Sequence, residues 1–228
     1  MKPELRPLVR MLGLSRVDGR GSDRNGAASA YTGRFGDASV VATLTMIGTA
    51  AATAATTRLL DHHRIDHVVV VGIAGGVPPA VAVGDLVVPE VVVDGVTGAE
   101  HRASPLDGLS LRGRVRTGDD LAVDVDELRA AGIDACDMET AAVAAVCASR
   151  GVPWTAFRAI SDLVGGPVDD AVLALANPDG TGNLRAAARY LLPRPWKIPG
   201  LVRLARDTNT ATQTAARAAI RACGLDQR

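Results

Sequence analysis

The sequence predicts an α/β domain organised around a mostly parallel or mixed β-sheet. Three observations carry this. Short apolar runs rich in Val and Ile alternate with alanine-rich runs of helical length, the pattern of strands with helical crossovers. The run HVVVVGIAGGV at 67–77 is apolar without alternation and ends in glycines, as a strand covered on both faces does. The chain has 228 residues, 47% of them apolar, enough for one large core.

In chain order, ASVVATLTM (38–46) is expected as a strand and GTAAATAATTRLLDHH (48–63) as a helix of small residues after it. The strand at 67–77 follows. GDLVVPEVVVD (84–94) is expected as a strand entered through Gly84 and Asp85 and interrupted by Pro89, which has no N–H to give a ladder. RGRVRTGDDL (112–121) holds a short strand and a turn, a helix runs from about Met138 to Arg150, and VPWTAFRAISD (152–162) is a further buried strand. Residues 1–165 form the α/β core on this reading. From residue 166 turn formers precede LRAAARYLL, PRPWKIPG and LVRLARDTNTATQTAARAAIRAC, read as two helices joined by a proline-rich elbow. These C-terminal helices are expected to complete the same domain.

Composition narrows the function classes. The formal charge is zero, so no global field draws in nucleic acid or acidic substrates. Cys136, Cys147 and Cys223 are odd in number and lack metal-ligand spacing, as expected of reduced thiols in a cytoplasmic protein without a metal. No signal peptide is visible, and Gly, Pro or Asp interrupts every apolar stretch before a membrane span is reached. Charge is nonetheless uneven: residues 185–228 carry eight Arg and one Lys against two Asp. Such a tail is a solvated helix face, an oligomer contact or a peripheral membrane surface.

Two carboxylates stand where the chain begins to bury itself. In DACDMETAAVAAVCAS (134–149), a helix capped by Asp137 places Met138, Ala141, Ala142, Ala145 and Val146 on one buried stripe. Glu139 lies off that stripe, but its neighbours at i+4 and i+8 are Val143 and Cys147, so the helix is apolar nearly all round. Glu139 is therefore either an acid complementing the helix dipole or a pocket carboxylate that accepts hydrogen bonds from ligand hydroxyls. Asp162 follows an apolar strand directly, with Ser161 before it. It is either a helix N-cap or a ligand group at the carboxyl end of a strand, where open α/β sheets bind. Gly72, Gly75 and Gly76 also sit at a strand end. They form neither a dinucleotide fingerprint nor a Walker loop, which leaves close backbone approach to a small ligand.

Taken together, VVVVGIAGGVPPAVAVGDLVVPE, RTGDDL, DMETAAVAAVC and VPWTAFRAISD, in that order and spacing, resemble the nucleoside phosphorylase superfamily. The likeness is to its branch of methylthioadenosine/S-adenosylhomocysteine nucleosidases, and it runs from about residue 1 to 165. The resemblance implies a three-layer α/β/α fold with a central mixed sheet, no cofactor, and assembly as a homodimer or larger homo-oligomer. It implies a hydrolase that releases adenine from a purine nucleoside. Asp162 would protonate or hydrogen-bond N7 of the purine, needing a proton held near neutral pH in an enclosed site. Ser161 would orient Asp162, Glu139 would hold ribose hydroxyls, and Met138 would line the sugar pocket. Glu4, in MKPEL, would activate the water, and Leu121, in TGDDL, would contact the base. Gly75 and Ile73 would lie at the site through the GIAGG stretch.

Departures from the pattern shape further expectations. A first β-strand precedes the Met-x-x-Glu stretch in the family, whereas this sequence begins at that Met, so either the sequence starts late or the strand is absent. Ile73 stands where the nucleosidase pattern has Ser. No Gly-Asp-Pro-x-Arg stretch is present to hold phosphate, so water is the expected acceptor. Arg158 reads as a structural partner. The basic tail with Trp196 resembles hopanoid-associated phosphorylase-like proteins, which makes an adenosylated lipid at a membrane the leading alternative substrate. A purine nucleoside phosphorylase and a non-catalytic nucleoside-binding protein are the others.

Overall fold

The structure, a computed structural model of the chain, describes residues 5–17, 30–119, 124–165 and 198–226. Glu4, Leu121, Trp196 and the first of the two expected C-terminal helices lie outside them. The elements in order are α1 (Arg6–Met11), β1 (Ser15–Arg16), β2 (Tyr31–Phe35), β3 (Ala38–Ala42), α2 (Thr49–His62), β4 (Val68–Gly76), β5 (Leu86–Val87) and β6 (Val91–Asp94). Then come β7 (Glu100–Arg102), β8 (Arg114–Thr117), α3 (Val125–Ala130), β9 (Ala135–Asp137), α4 (Thr140–Arg150), β10 (Trp154–Leu163) and α5 (Ile198–Ala222).

Seven strands form a mixed sheet in the order β5-β10-β4-β9-β8-β6-β7. Its spine is the parallel pair β4 and β10, in register from Val68 opposite Trp154. One face of the spine carries Val68, Val70 and Ala74 with Ala156 and Ile160, packed against Ala52 of α2 and Ala141, Val143, Ala144 and Cys147 of α4. The other face carries Val69, Val71 and Ile73 with Phe157 and Ala159, packed against Ala211, Ala215 and Ala219 of α5. Those three alanines recur every fourth residue, so one narrow stripe of α5 lies close on the sheet. Further along the same face, Leu128 of α3 packs with Ile133 and Val77. Helices therefore cover the sheet on both sides, the three-layer α/β/α arrangement.

Three expectations are corrected. The 84–94 run is two strands at opposite ends of the sheet, β5 against β10 and β6 between β8 and β7; Pro89 lies where the chain leaves one edge for the other. The buried stripe of α4 is Thr140, Val143, Ala144 and Cys147, with Ala141, while Ala145 is exposed. Apolar periodicity could not choose a face on a helix that is apolar all round. The 38–46 strand stops at Ala42, and Met46 takes a left-handed backbone at φ 67°.

Strands β1, β2 and β3 form a separate antiparallel sheet. Among the described residues, β3 pairs with β2 alone, and the edge of β4 turned away from β10 pairs only at Gly75 and Gly76, with β9. Both free edges line one cavity of about 900 Å³, which Leu5, Leu8 and Leu12 of the α1 segment also border.

Candidate active site

The site forms where β4, β9 and β10 end and α4 begins. On β10, Ile160 is in register with Ala74 and Asp162 with Gly75, so Ser161 is an extra residue bulged from the ladder. A bulge re-aims the side chains beside it. The Ser161 hydroxyl donates to Asp162 Oδ1 at 2.6 Å. The other oxygen, Oδ2, lies over Gly75, where an added Cβ would sit 3.8 Å from it. Gly75 thus keeps the floor beside the Asp162 carboxyl bare.

Behind this floor is a buried ionic knot. The Arg158 guanidinium and Asp137 carboxylate are 5% and 1% exposed, with Nε 2.7 Å from Oδ2. Burial at that level is costly unless every group is partnered, and these groups are. Asp137 accepts from the Thr117 hydroxyl at 2.5 Å, from the Thr140 hydroxyl, and from the Glu139 and Thr140 amides at 3.3 and 3.2 Å. It thereby caps α4 from two residues before the helix's N-cap, Glu139. Arg158 also donates to the Thr140 hydroxyl at 2.7 Å and to the Ile73 carbonyl at 3.4 Å. Arg158 is thus a structural partner, and Asp137 is the counter-ion that sequence reading took only for a cap.

Glu139 hangs from the edge of this knot. Its Oε2 is 3.5 Å from Arg158 Nη2, and its Oε1 accepts from the Gly48 amide at 3.2 Å. Gly48 precedes α2 at φ 94°, a conformation natural to glycine. Asp119 fixes that helix start, accepting from the Thr49 amide and hydroxyl at 3.1 and 2.9 Å. Asp119 and Gly48 were not singled out from sequence. The capping pair is 70 residues apart in the chain, and no local signal links them.

Asp162, Ser161, Glu139, Met138, Gly75 and Ile73 all line the same cavity. The structure therefore brings six of the eight candidate residues together; Glu4 and Leu121 lie outside the described residues. Chemically this is one carboxyl group braced by a neutral hydroxyl, and a second beside a cation. The first suits exchange of a proton, the second acceptance of hydrogen bonds from hydroxyls. Cys136 also lines the cavity; burial pushes its thiol up to about 11, against the pull of the Arg116 charge. It stays a neutral thiol near pH 7. Among the described residues no helix is long and apolar enough to cross a membrane.

Comparison with known proteins gives a consistent picture. A family model described as the phosphorylase superfamily matches residues 1–110 and 107–191. The 5'-methylthioadenosine/S-adenosylhomocysteine nucleosidase of Geobacillus kaustophilus is 34% identical over 166 residues, spanning 58% of this chain and 71% of that protein. Its namesake from Bacillus subtilis is 33% identical over 167 residues, spanning 59% and 72%. Among solved structures, the nucleosidase of the same description from Neisseria meningitidis in complex with methylthio-immucillin-A superposes with a TM-score of 0.70 at 20% identity, covering 98% of this chain and 95% of that one. Futalosine hydrolase of Helicobacter pylori gives 0.69 at 18% identity, covering 98% and 94%.

Replacing Arg158 by Met keeps the stem of the side chain but leaves the Asp137 charge buried without its cation. Denaturant unfolding should show a loss of about 3–5 kcal/mol. A loss below about 1 kcal/mol would mean that Thr117 and Thr140 satisfy Asp137 by themselves.

Proposed function

The chain belongs to the phosphorylase superfamily, and from that premise we propose that it hydrolyses the N-glycosidic bond of a purine nucleoside and releases adenine, with 5'-methylthioadenosine and S-adenosylhomocysteine as substrates. The names of its relatives support the substrate class. The observation that carries the reading is the Ser161-braced Asp162 carboxyl at the bulge, over bare Gly75 and in one cavity with Glu139.

The bond between C1' and N9 breaks with its electron pair leaving on the base, while positive charge develops on the ribosyl ring. Asp162 gives a proton to N7, so the base leaves neutral. As the proton goes, the Ser161 hydroxyl is already placed to donate to the carboxylate that forms. Glu139 accepts from the ribose 2' and 3' hydroxyls, with its own orientation held by Gly48 and Arg158. Water then adds to C1', and Glu4 is our assignment for the base that takes its proton. Met138 lies along the sugar, and Leu121 is assigned to the base. Water is favoured over phosphate because the sequence has no Gly-Asp-Pro-x-Arg stretch and the Arg158 guanidinium, adjoining Glu139, is engaged by Asp137, Thr140 and Ile73.

A second reading places a lipid on the 5' carbon. The same cavity runs along the free edges of β3 and β4 to Leu5, Leu8 and Leu12, an apolar length that an alkyl chain would fill.

The proposed role of Asp162 is tested by Asp162→Asn. The amide cannot supply the proton, so adenine release should fall by 10²-fold or more, on the order expected for general acid catalysis, while binding of adenine stays measurable. Full activity in this variant would overturn the assignment.

A further inference from the structure

Asp162 is the first member of a row that crosses the sheet. It is in register with Gly75, Gly75 with Cys136, and Cys136 with Arg116. Residues in register point to the same face. The row therefore runs from an acid to a guanidinium over two small residues. At the usual strand spacing, Asp162 and Arg116 start about 14 Å apart at the backbone. That span leaves a trough for a planar bicyclic base with a hydrogen bond at either end.

Arg116 is arranged to serve the far end. Its guanidinium folds along the strand toward the ligand crevice, over two glycines: an added Cβ would lie 2.5 Å from Cζ at Gly95 and 3.0 Å from Nη1 at Gly118. Nη2 donates to the Gly95 carbonyl at 3.3 Å. Among the described residues no carboxylate forms an ion pair with it. It lines the same cavity as Asp162 and Glu139. Its neighbour in the row, Cys136, belongs to an apolar group with Val93, Val125 and Val164. A cation in that company is costly unless its donors find acceptors.

We propose that Arg116 is a base-specificity residue that donates a hydrogen bond to N1 of the bound purine. This rests on the reading that Asp162 engages N7, since N1 lies across the ring system from N7. The ligand class is then a 6-aminopurine. Its N1 is a bare acceptor, whereas a 6-oxopurine carries hydrogen at N1 and would meet the guanidinium donor to donor. The chain thereby selects adenine by an interaction at the opposite end of the base from its catalytic acid.

Calorimetric binding of free adenine, 1-deazaadenine, 3-deazaadenine and hypoxanthine to the full chain and to Arg116→Met and Arg116→Lys tests this without turnover. The unaltered chain should bind adenine at least about tenfold tighter than 1-deazaadenine, as for a hydrogen bond from a charged donor. Arg116→Met should abolish that preference with its thermal midpoint retained, and Arg116→Lys should keep part of it. A preference that persists in Arg116→Met, or a loss confined to 3-deazaadenine, would overturn the proposal while leaving the adenine site standing. Absence of binding by every base to the unaltered chain would overturn the site itself.

Discussion

The buried pair of Arg158 and Asp137 is the constraint on which the site depends. An ion pair at 2.7 Å with both partners almost wholly enclosed gives little net stability against a well-packed apolar alternative. What it supplies is geometry. Arg158 comes from the middle of β10, Asp137 from the end of β9, Thr140 from the first turn of α4 and the Ile73 carbonyl from β4. Four elements are thus tied to one guanidinium plane. Gly72 sits beside that plane, and a Cβ there would overlap Nη1. The glycine in the middle of β4 is a matter of space for the cation rather than of turning the chain.

Around this knot the polar groups sort by environment. Asp137 is consumed by structure, with both oxygens occupied. Glu139 is half committed, holding one backbone amide and the outer edge of the guanidinium. Asp162 follows the bulged Ser161 in the ladder and is braced by its hydroxyl. Three acids that look alike in the sequence thus have three different positions relative to fixed charge. The proposed division into scaffold, sugar clamp and proton donor rests on that ordering.

Much of the frame was legible because its cause is local. The apolar run at 67–77 read as a strand covered on both faces and 152–162 as a buried strand; β4 does pack on both faces, and β10 is buried from Trp154 to Ser161. The alanine-rich α2 ends within a residue of its expected limits. What could not be read depends on contacts distant in sequence. The partner of Arg158 is chosen by registers across three strands. The cap of α2 comes from Asp119, beyond five intervening strands. The bulge at Ser161 leaves no composition signature, and the face of α4 was misjudged because methyl groups surround the helix. Short edge pieces such as β1, β5 and β7 have too few residues for any period.

The central proposal is that this geometry serves hydrolysis: a proton goes to the base, the sugar is clamped, and Arg158 is held by Asp137, Thr140 and Ile73 rather than offered to phosphate. Identification of the sugar product from 5'-methylthioadenosine, in buffer containing inorganic phosphate, tests it most directly. The account predicts free 5-methylthioribose, a reducing sugar, formed at the same rate with and without phosphate. Formation of the sugar 1-phosphate, or a rate that vanishes when phosphate is removed, would contradict it.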